Sequence, residues 1–385
     1  MPPSKPEKLV IAGGGHASLP LLKMGQHWRN ENLRITLVSA EPYLVYSGAL
    51  PQYMGGFYNF GQTSVNLKLL CDSNNITFIR DKVTGINSFE KTIVTSSGEL
   101  LEYDYLVINV GAVTSDQTDS DKIFPVKPMP KLFSLRNKLE NGPINKLLIA
   151  GGGAAGTEIA LNLSHPDSYW KNSGQITLLE KRSRILSSFP EKASKIAESI
   201  LKERGVIIQT DQNFDKEVTD QFDAVMLATG NEPETLSIQH PFETDNNGRI
   251  LTEPTLQVKG EDRVYAAGDT ANVGGKNHSQ IGVHAVKQGL LLRKNINRRI
   301  HGKNLKPYKA YPVNPLIISD GPDNAIFIAG NFCFSGKHAA TLKYMLDMHW
   351  LESYRVKAAE RRSWFRLWTD GNSRRSNFSK ASHSL

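Results

Sequence analysis

Apolar residues in this chain gather in short unbroken runs rather than in alternation with polar ones. Leu9, Val10 and Ile11 form the centre of such a run, Lys8–Ala12, and Ile35–Ser39 and Tyr105–Val110 are two more. Unbroken runs of this length predict strands buried on both faces. The pattern restarts at Lys146–Ala150 and continues through Ile176–Glu180, Val206–Gln209 and Ala224–Ala228, with helical patterns such as Ala154–Ser164 and Glu191–Arg204 between them. Strands alternating with helices predict a parallel, doubly wound sheet, and the restart predicts two such units in one chain.

Pro128, Pro130 and Pro143 mark Lys127–Asn145 as the crossing into the second unit, and Asn231–Pro241 reads as the return. Arg249–Asp269 then belongs with the first unit again. The expected domains are 1–126 and 237–307 for the first unit, 127–236 for the unit inserted in it, and 308–370 for a C-terminal α+β region. Residues 371–385, rich in Ser, Asn and Arg without apolar period, read as a disordered tail.

Composition narrows the class. With 39% hydrophobic and 22% charged residues among 385, a packed globular protein is expected. No apolar run is long enough to span a membrane, and Met1–Lys8 lacks the apolar core of a secretion signal. Two cysteines, Cys71 and Cys333, give no disulfide framework, so a cytoplasmic location is expected. The net charge of +8 is concentrated partly near the C-terminus, and no zinc-finger or RNA-binding pattern accompanies it, so nucleic acid is not expected as a partner.

Candidate chemistry begins at Gly13-Gly14-Gly15-His16-Ala17-Ser18, between a strand and a helical stretch. Gly13 permits the tight turn, Gly15 lets a pyrophosphate approach the backbone, and the helix N-terminus offers unpaired N–H groups to the phosphates. Ser18 stands where a third glycine is usual. Ser39 stands where the next strand would end in an acid, with Glu41 two residues on as a substitute. On these residues alone the turn is either a nucleotide site or a structural glycine turn. The second turn carries all three glycines, Gly151, Gly153 and Gly156, and Glu180 closes the strand after it, where a carboxylate reaches both ribose hydroxyls. That acid repels the phosphate of NADP, so NADH is expected. Lys181, Arg182 and Arg184 leave NADPH open, or are a solvated basic loop.

A third element is Val264-Tyr265-Ala266-Ala267-Gly268-Asp269, and Ala228-Thr229-Gly230 ends an earlier strand in the same style. Two nucleotide turns, an Ala-Thr-Gly strand end and a late Ala-Gly-Asp together resemble the pyridine-nucleotide-dependent flavoproteins with two dinucleotide-binding domains, over about residues 8 to 350. The resemblance implies two Rossmann-like domains, FAD in the first and NADH in the second. It implies that Asp269, after Gly268, bonds the ribityl chain of FAD. The helix Gly282–Leu291, opening with Val283 and His284, would point its N-terminus at the flavin. Gly111 and Gly230 would line the FAD and NAD sites respectively.

Disulfide reductases of this group carry paired cysteines, which Cys71 and Cys333 do not form. Within the group the chain resembles type II NADH dehydrogenase-like proteins, and among them the flavoprotein module found fused to selenide, water dikinase. The matching stretches are Gly13–His16, Tyr46-Ser47-Gly48-Ala49-Leu50-Pro51 and Gly282–Gly289. This resemblance implies hydride transfer from NADH to FAD and electron transfer onward to a small-molecule acceptor of quinone type. Tyr46, Ser47 and Pro51 match a loop beside the flavin ring. Glu158 matches a glutamate close to nicotinamide and flavin, which orients the one or relays a proton; otherwise it is a first-turn acid favoured by the helix dipole. The chain departs from the pattern where relatives carry two glutamines near the flavin, since Val283 and Lys287 occupy those places. Lys287 either adds positive charge there or faces solvent. His16 either touches the pyrophosphate, covers the flavin, or is an ordinary satisfied histidine.

Two rival readings remain open: a sulfide- or selenium-related flavoprotein reductase dependent on Cys333, and a low-turnover flavoprotein that senses NADH. Lys357–Trp368 places Trp364, Leu367 and Trp368 on one helical face with Arg362 and Arg366 away from it. That pattern describes an interfacial helix and peripheral contact with the inner face of the cell membrane. Alternatively the tryptophans pack on the chain's own core or on a second subunit, in a homodimer.

Overall fold

The computed structural model describes residues 5–115, 120–170, 173–239, 242–275, 282–310 and 313–356. The expected interfacial helix Lys357–Trp368 and the tail Gly371–Leu385 lie outside the described residues. Among those described, no helix is long and apolar enough to cross a membrane.

The first sheet is all parallel, in the order Val264–Ala266, Tyr105–Ile108, Glu7–Ala12, Leu33–Val38, Thr77–Ile79. Its central strand pairs on both sides, with Val10 opposite Thr36 and Leu106. The second sheet repeats the plan as Ile123–Pro125, Ala224–Leu227, Lys146–Ala150, Gln175–Leu179, Ile207–Gln209. Leu9–Ala12 and Leu147–Ala150 are buried throughout, which is why their apolar runs do not alternate. In each sheet the glycine turn leaves the central strand at the point where the strand order reverses, the place at which sheets of this kind bind ligands, outside the carboxyl ends of their strands.

Four departures from the sequence reading have local causes. The stretch after the first turn is two short helices, Leu19–Leu22 and Gly25–Asn30. Gly25 abuts the Asn74 carbonyl, which an added Cβ would meet at 2.0 Å, so the chain bends to pack there. The strand expected to reach Val110 ends at Ile108, and Asn109 turns toward the glycines. The helix expected to end at Leu291 runs Gly282–Ile300. Buried Leu292 and Ile296 continue its inward face, and Asn295 Nδ2 donates to the carbonyls of Thr255 and Lys306 at 2.9 and 2.8 Å. Finally, an unanticipated sheet joins Ser237–Gln239, Val83–Asn87, Thr92–Thr95 and Leu100–Glu102. These strands are too short to show a period.

The crossing into the second unit lies earlier than the expected Lys127–Asn145: that stretch carries the helix Met129–Asn141, packed in the second core through Leu132, Leu135 and Leu139, and Ile123–Pro125 already belongs to the second sheet. The crossing is Ala112–Thr114, which runs antiparallel to the return strand Asn231–Pro233. The C-terminal region is an antiparallel sheet, Leu316–Asp320, Asn324–Ala329 and Phe332–Gly336, followed by the helix Lys337–Glu352. Its strands join the core of the second unit through Ile318, Ile326 and Ile328. The far end of its helix and the turn just after it join the core of the first through Leu351 and Tyr354. The region therefore bridges both units.

Candidate functional site

The two glycine turns share one geometry. Gly13 and Gly151 have φ of +98° and +111°, and a Cβ on either would lie 2.3 Å from the carbonyl just past the end of the neighbouring strand, that of Asn109 or Ala228. Glycine is required at both positions by conformation and by space. A hydroxyl closes each turn: Ser18 Oγ donates to the Gly13 carbonyl at 2.7 Å, and Thr157 Oγ1 to that of Gly152 at 3.0 Å. Ser18 thus does more than substitute for a small residue. It also accepts from Asn109 Nδ2 at 2.9 Å, and that amide lies against Gly15.

Around the first turn the expected residues converge in part. Gly268 N donates to Gln288 Oε1 at 2.7 Å, binding the Gly-Asp strand end to the long helix. Asp269 is 2.5 Å from Lys127 Nζ, both side chains being largely buried. Gly111 N donates to Thr270 Oγ1 at 3.0 Å, and its Cα faces open space. Ser47 lies against Gly282, the first residue of the long helix, while Pro51 is in the first turn of Leu50–Gly55. Ser39 is buried and donates to the Glu41 carbonyl, whereas the Glu41 side chain is exposed. His284 is drawn elsewhere, its Nδ1 to Tyr308 Oη at 2.7 Å and its Nε2 to Asn314 at 3.2 Å, so what it offers the crevice is backbone. Val283 is exposed. Lys287 donates to Asn314 Oδ1 at 3.1 Å, and burial lowers its pKa.

His16, Tyr46 and Trp350 form an aromatic wall. Tyr46 stacks on Trp350 with ring centroids 4.3 Å apart, and His16 lies 5.4 Å from Trp350. His16 Nε2 and Trp350 Nε1 are shut from solvent without partners among the described residues. Burial pushes the imidazole pKa down to about 4, against the raising effect of Asp269.

At the second turn, Gly156 packs so tightly on Gly151 that a Cβ would meet its carbonyl at 1.9 Å, while Gly153 faces open space. Gly230, at φ +138°, ends the adjoining strand region. Glu180 is buried under the turn and accepts from Arg182 N at 2.9 Å. Two of the three basic residues after it are tied down. Arg182 Nη1 donates to Ser187 and Ser188, and Arg184 to the carbonyls of Leu186, Ser187 and Phe189.

Glu158 is the fifth residue of the helix Ala154–Leu163, past its first turn, so the dipole account of it fails. Its carboxylate is buried, with Oε1 accepting from Ser319 N and Oγ, both at 2.7 Å. Lys343 Nζ lies 3.7 Å from it and 2.9 Å from Asp347 Oδ2. Burial holds the Glu158 carboxyl above the usual range, while Lys343 pulls it down. Burial also raises the Tyr46 hydroxyl, as does the negative charge of Asp347 nearby. Sequence reasoning missed Asn109, Lys127, Gln288, Ser319, Lys343, Asp347 and Trp350. One signal was available: Lys343 and Asp347, one turn apart, interrupt an otherwise apolar run.

Cys71 and Cys333 are both free and buried, in different cores. Burial pushes the Cys71 thiol up to about 12 and raises that of Cys333.

Residues 7–289 match the family model described as pyridine nucleotide-disulphide oxidoreductase. A probable NADH dehydrogenase of Dictyostelium discoideum is 26% identical over 381 residues, covering 86% of this chain and 82% of that one. A type II NADH:quinone oxidoreductase of Staphylococcus aureus is 23% identical over 384 residues, covering 89% and 94%. The solved structure of NDH2 from Plasmodium falciparum in complex with NADH superimposes with a TM-score of 0.74 at 14% identity, covering 90% and 97%.

Proposed function

The chain belongs to the pyridine nucleotide-disulphide oxidoreductase family, and from that premise we infer that it is an FAD-dependent NADH dehydrogenase of the type II kind, delivering electrons to a quinone-like acceptor. The observation that carries this reading is the repeated turn geometry at Gly13 and Gly151, each at the reversal point of its own parallel sheet. We assign 1–126 with 237–307 to FAD, except that the strand Ile123–Pro125 goes with the second sheet, and 127–236 to NADH, with 308–370 as the bridging region.

The first crevice fits FAD on three counts: the cradle that a Cβ would fill at Gly13 and Gly15, the open space at Gly111, and the orphaned His16 Nε2. Bound there, FAD would supply the two-electron chemistry, accepting hydride from NADH. Gly13, Gly15 and Ser18 would shape the phosphate site, and Asp269 would accept from ribityl hydroxyls. The N-terminus of Gly282–Ile300, with Val283 and the His284 backbone, would stabilise negative charge on the ring by ~0.3–1 kcal/mol, and Lys287 would add to it. Tyr46, Ser47 and Pro51 would wall the ring. Gly151, Gly153, Gly156, Glu180 and Gly230 would hold NADH. Engagement of Arg182 and Arg184 with their own loop favours NADH over NADPH. Glu158, held towards its protonated form by burial, would exchange a proton beside the nicotinamide or acceptor.

A lipid-soluble acceptor requires a docking surface. The helix Lys337–Glu352 exposes Leu342, Tyr344, Met345 and Leu346, which supports peripheral membrane contact. A homodimer burying the same face is the competing arrangement. The deciding experiment for the activity is anaerobic titration of the purified yellow protein with NADH, then turnover with a soluble quinone. Stoichiometric bleaching and quinone-dependent turnover are expected; a flavin that NADH does not bleach overturns the reading.

A further inference from the structure

The helix Lys337–Glu352 is built inside out. Its apolar residues Leu342, Met345 and Leu346 face outward, while Lys343 and Asp347 are 5% and 4% exposed. One buried lysine beside two buried carboxylates, Glu158 and Asp347, cannot neutralise both, so geometry decides which acid it serves. Lys343 Nζ donates to Asp347 Oδ2 at 2.9 Å and to the Gly48 carbonyl at 2.5 Å. Its 3.7 Å distance to Glu158 Oε1 is too long for a strong hydrogen bond. Glu158 takes neutral donors instead, the backbone N–H and the hydroxyl of Ser319.

We propose that Asp347 is a positioning residue: it claims the charge of Lys343 and so leaves Glu158 as the member of this group that exchanges a proton. The proposal rests on the NADH dehydrogenase reading and deepens it. The groups that act on Glu158 are Lys343 and Asp347 from this helix and Ser319 from the C-terminal sheet. Tyr46, from the loop before Leu50–Gly55, also faces the group, and Tyr58, after that helix, faces Asp347 beside Gln52. Burial raises both phenols, so neither is charged near neutrality. Lys343 and Asp347 are then the charges that set the titration of Glu158.

The test is the pH profile of reoxidation of the NADH-reduced holoenzyme by a soluble quinone. A proton donor works below its pKa, so the rate falls as pH rises through that of Glu158. Asp347→Asn frees the lysine charge for Glu158, and the falling limb should move to lower pH by about 1–3 units. Flavin content reports whether that variant folds. The double variant Lys343→Met with Asp347→Asn removes a pair of net zero charge and decides the matter if the single one does not fold. Its limb should stay within about half a unit of wild type. An Asp347→Asn profile that coincides with wild type, sloping or flat, overturns the proposal, as does a double variant shifted upward by about a unit or more. If the wild type itself is not bleached by NADH, the parent reading has failed instead.

Discussion

Asp269 sits against Lys127 in the turn Gly268–Thr270 that follows a buried strand, poised between a structural ion pair and a ligand contact. Asp269→Ala should lower flavin affinity about ten- to a hundredfold, the worth of a hydrogen bond to a charged acceptor. The flavin absorbance of the purified protein, relative to its total protein, measures it, and normal content counts against the assignment. Glu180, buried beneath the second turn, gives a matching expectation. Glu180→Ala should narrow the preference for NADH over NADPH by about ten- to a hundredfold in kcat/KM. A wild type that prefers NADPH contradicts it. His16 carries a pH prediction for the flavin-free protein. Its pKa is 6.5 in an ordinary setting and about 4 in the fold. Between those values the unfolded chain binds a proton that the folded one refuses, so stability present above pH 6.5 is lost as pH falls toward 4. The loss is on the order of 1–3 kcal/mol. Thermal melting of His16→Phe should show a weaker decline over that range than wild type.

At the scale of elements, the long helix Gly282–Ile300 is held on the first turn through Gly289. A Cβ there would come within 2.6 Å of the Ala17 carbonyl oxygen and 2.9 Å of its Cα. Alanine elsewhere in a helix gains about 1 kcal/mol over glycine. Here it meets backbone that cannot step aside, and overpacking of that kind costs about 1–3 kcal/mol. Gly289→Ala should therefore lower the melting temperature and the flavin content together. Leu290→Ala, next to it on the exposed side, should change stability by at most about 0.5 kcal/mol. The strands at 7–12, 146–150 and 175–179 were legible because each is an apolar run bounded by glycine or charge. The meander at 83–102 was not, because its three- to five-residue strands pair by backbone bonds and alternate too briefly to stand out.

For the whole molecule, the bridging region is the part whose surface and interior are reversed. If its helix docks on lipid, full-length protein should co-sediment with anionic vesicles at low salt. The double variant Met345→Glu with Leu346→Glu should then stay in the supernatant while keeping its flavin. Each basic residue of 357–368 that nears an anionic surface contributes ~1 kcal/mol. A chain ending at Tyr354 should accordingly bind more weakly, and less so at high salt. Wild type left in the supernatant at low salt, with a dimer on sizing, assigns the face to a second subunit.

The sequence by itself determined the two-unit α/β plan, the two glycine turns, Glu180, Asp269 and the family they resemble. Those features are local: a turn that admits no Cβ, or an acid at a strand end, leaves its mark within a few residues. Tertiary structure alone decided which groups meet. Glu158 and Ser319 are 161 positions apart, and Lys343 reaches the carbonyl of Gly48 across 295. No period or motif records such a contact, because it exists only after three regions of the chain have packed. The same packing buries Lys343 and Asp347, which hydropathy places on the surface, and leaves Met345 and Leu346 outside. Helix periodicity fixes which residues share a face, whereas the partner, here the carboxylate of Glu158, fixes which face turns inward.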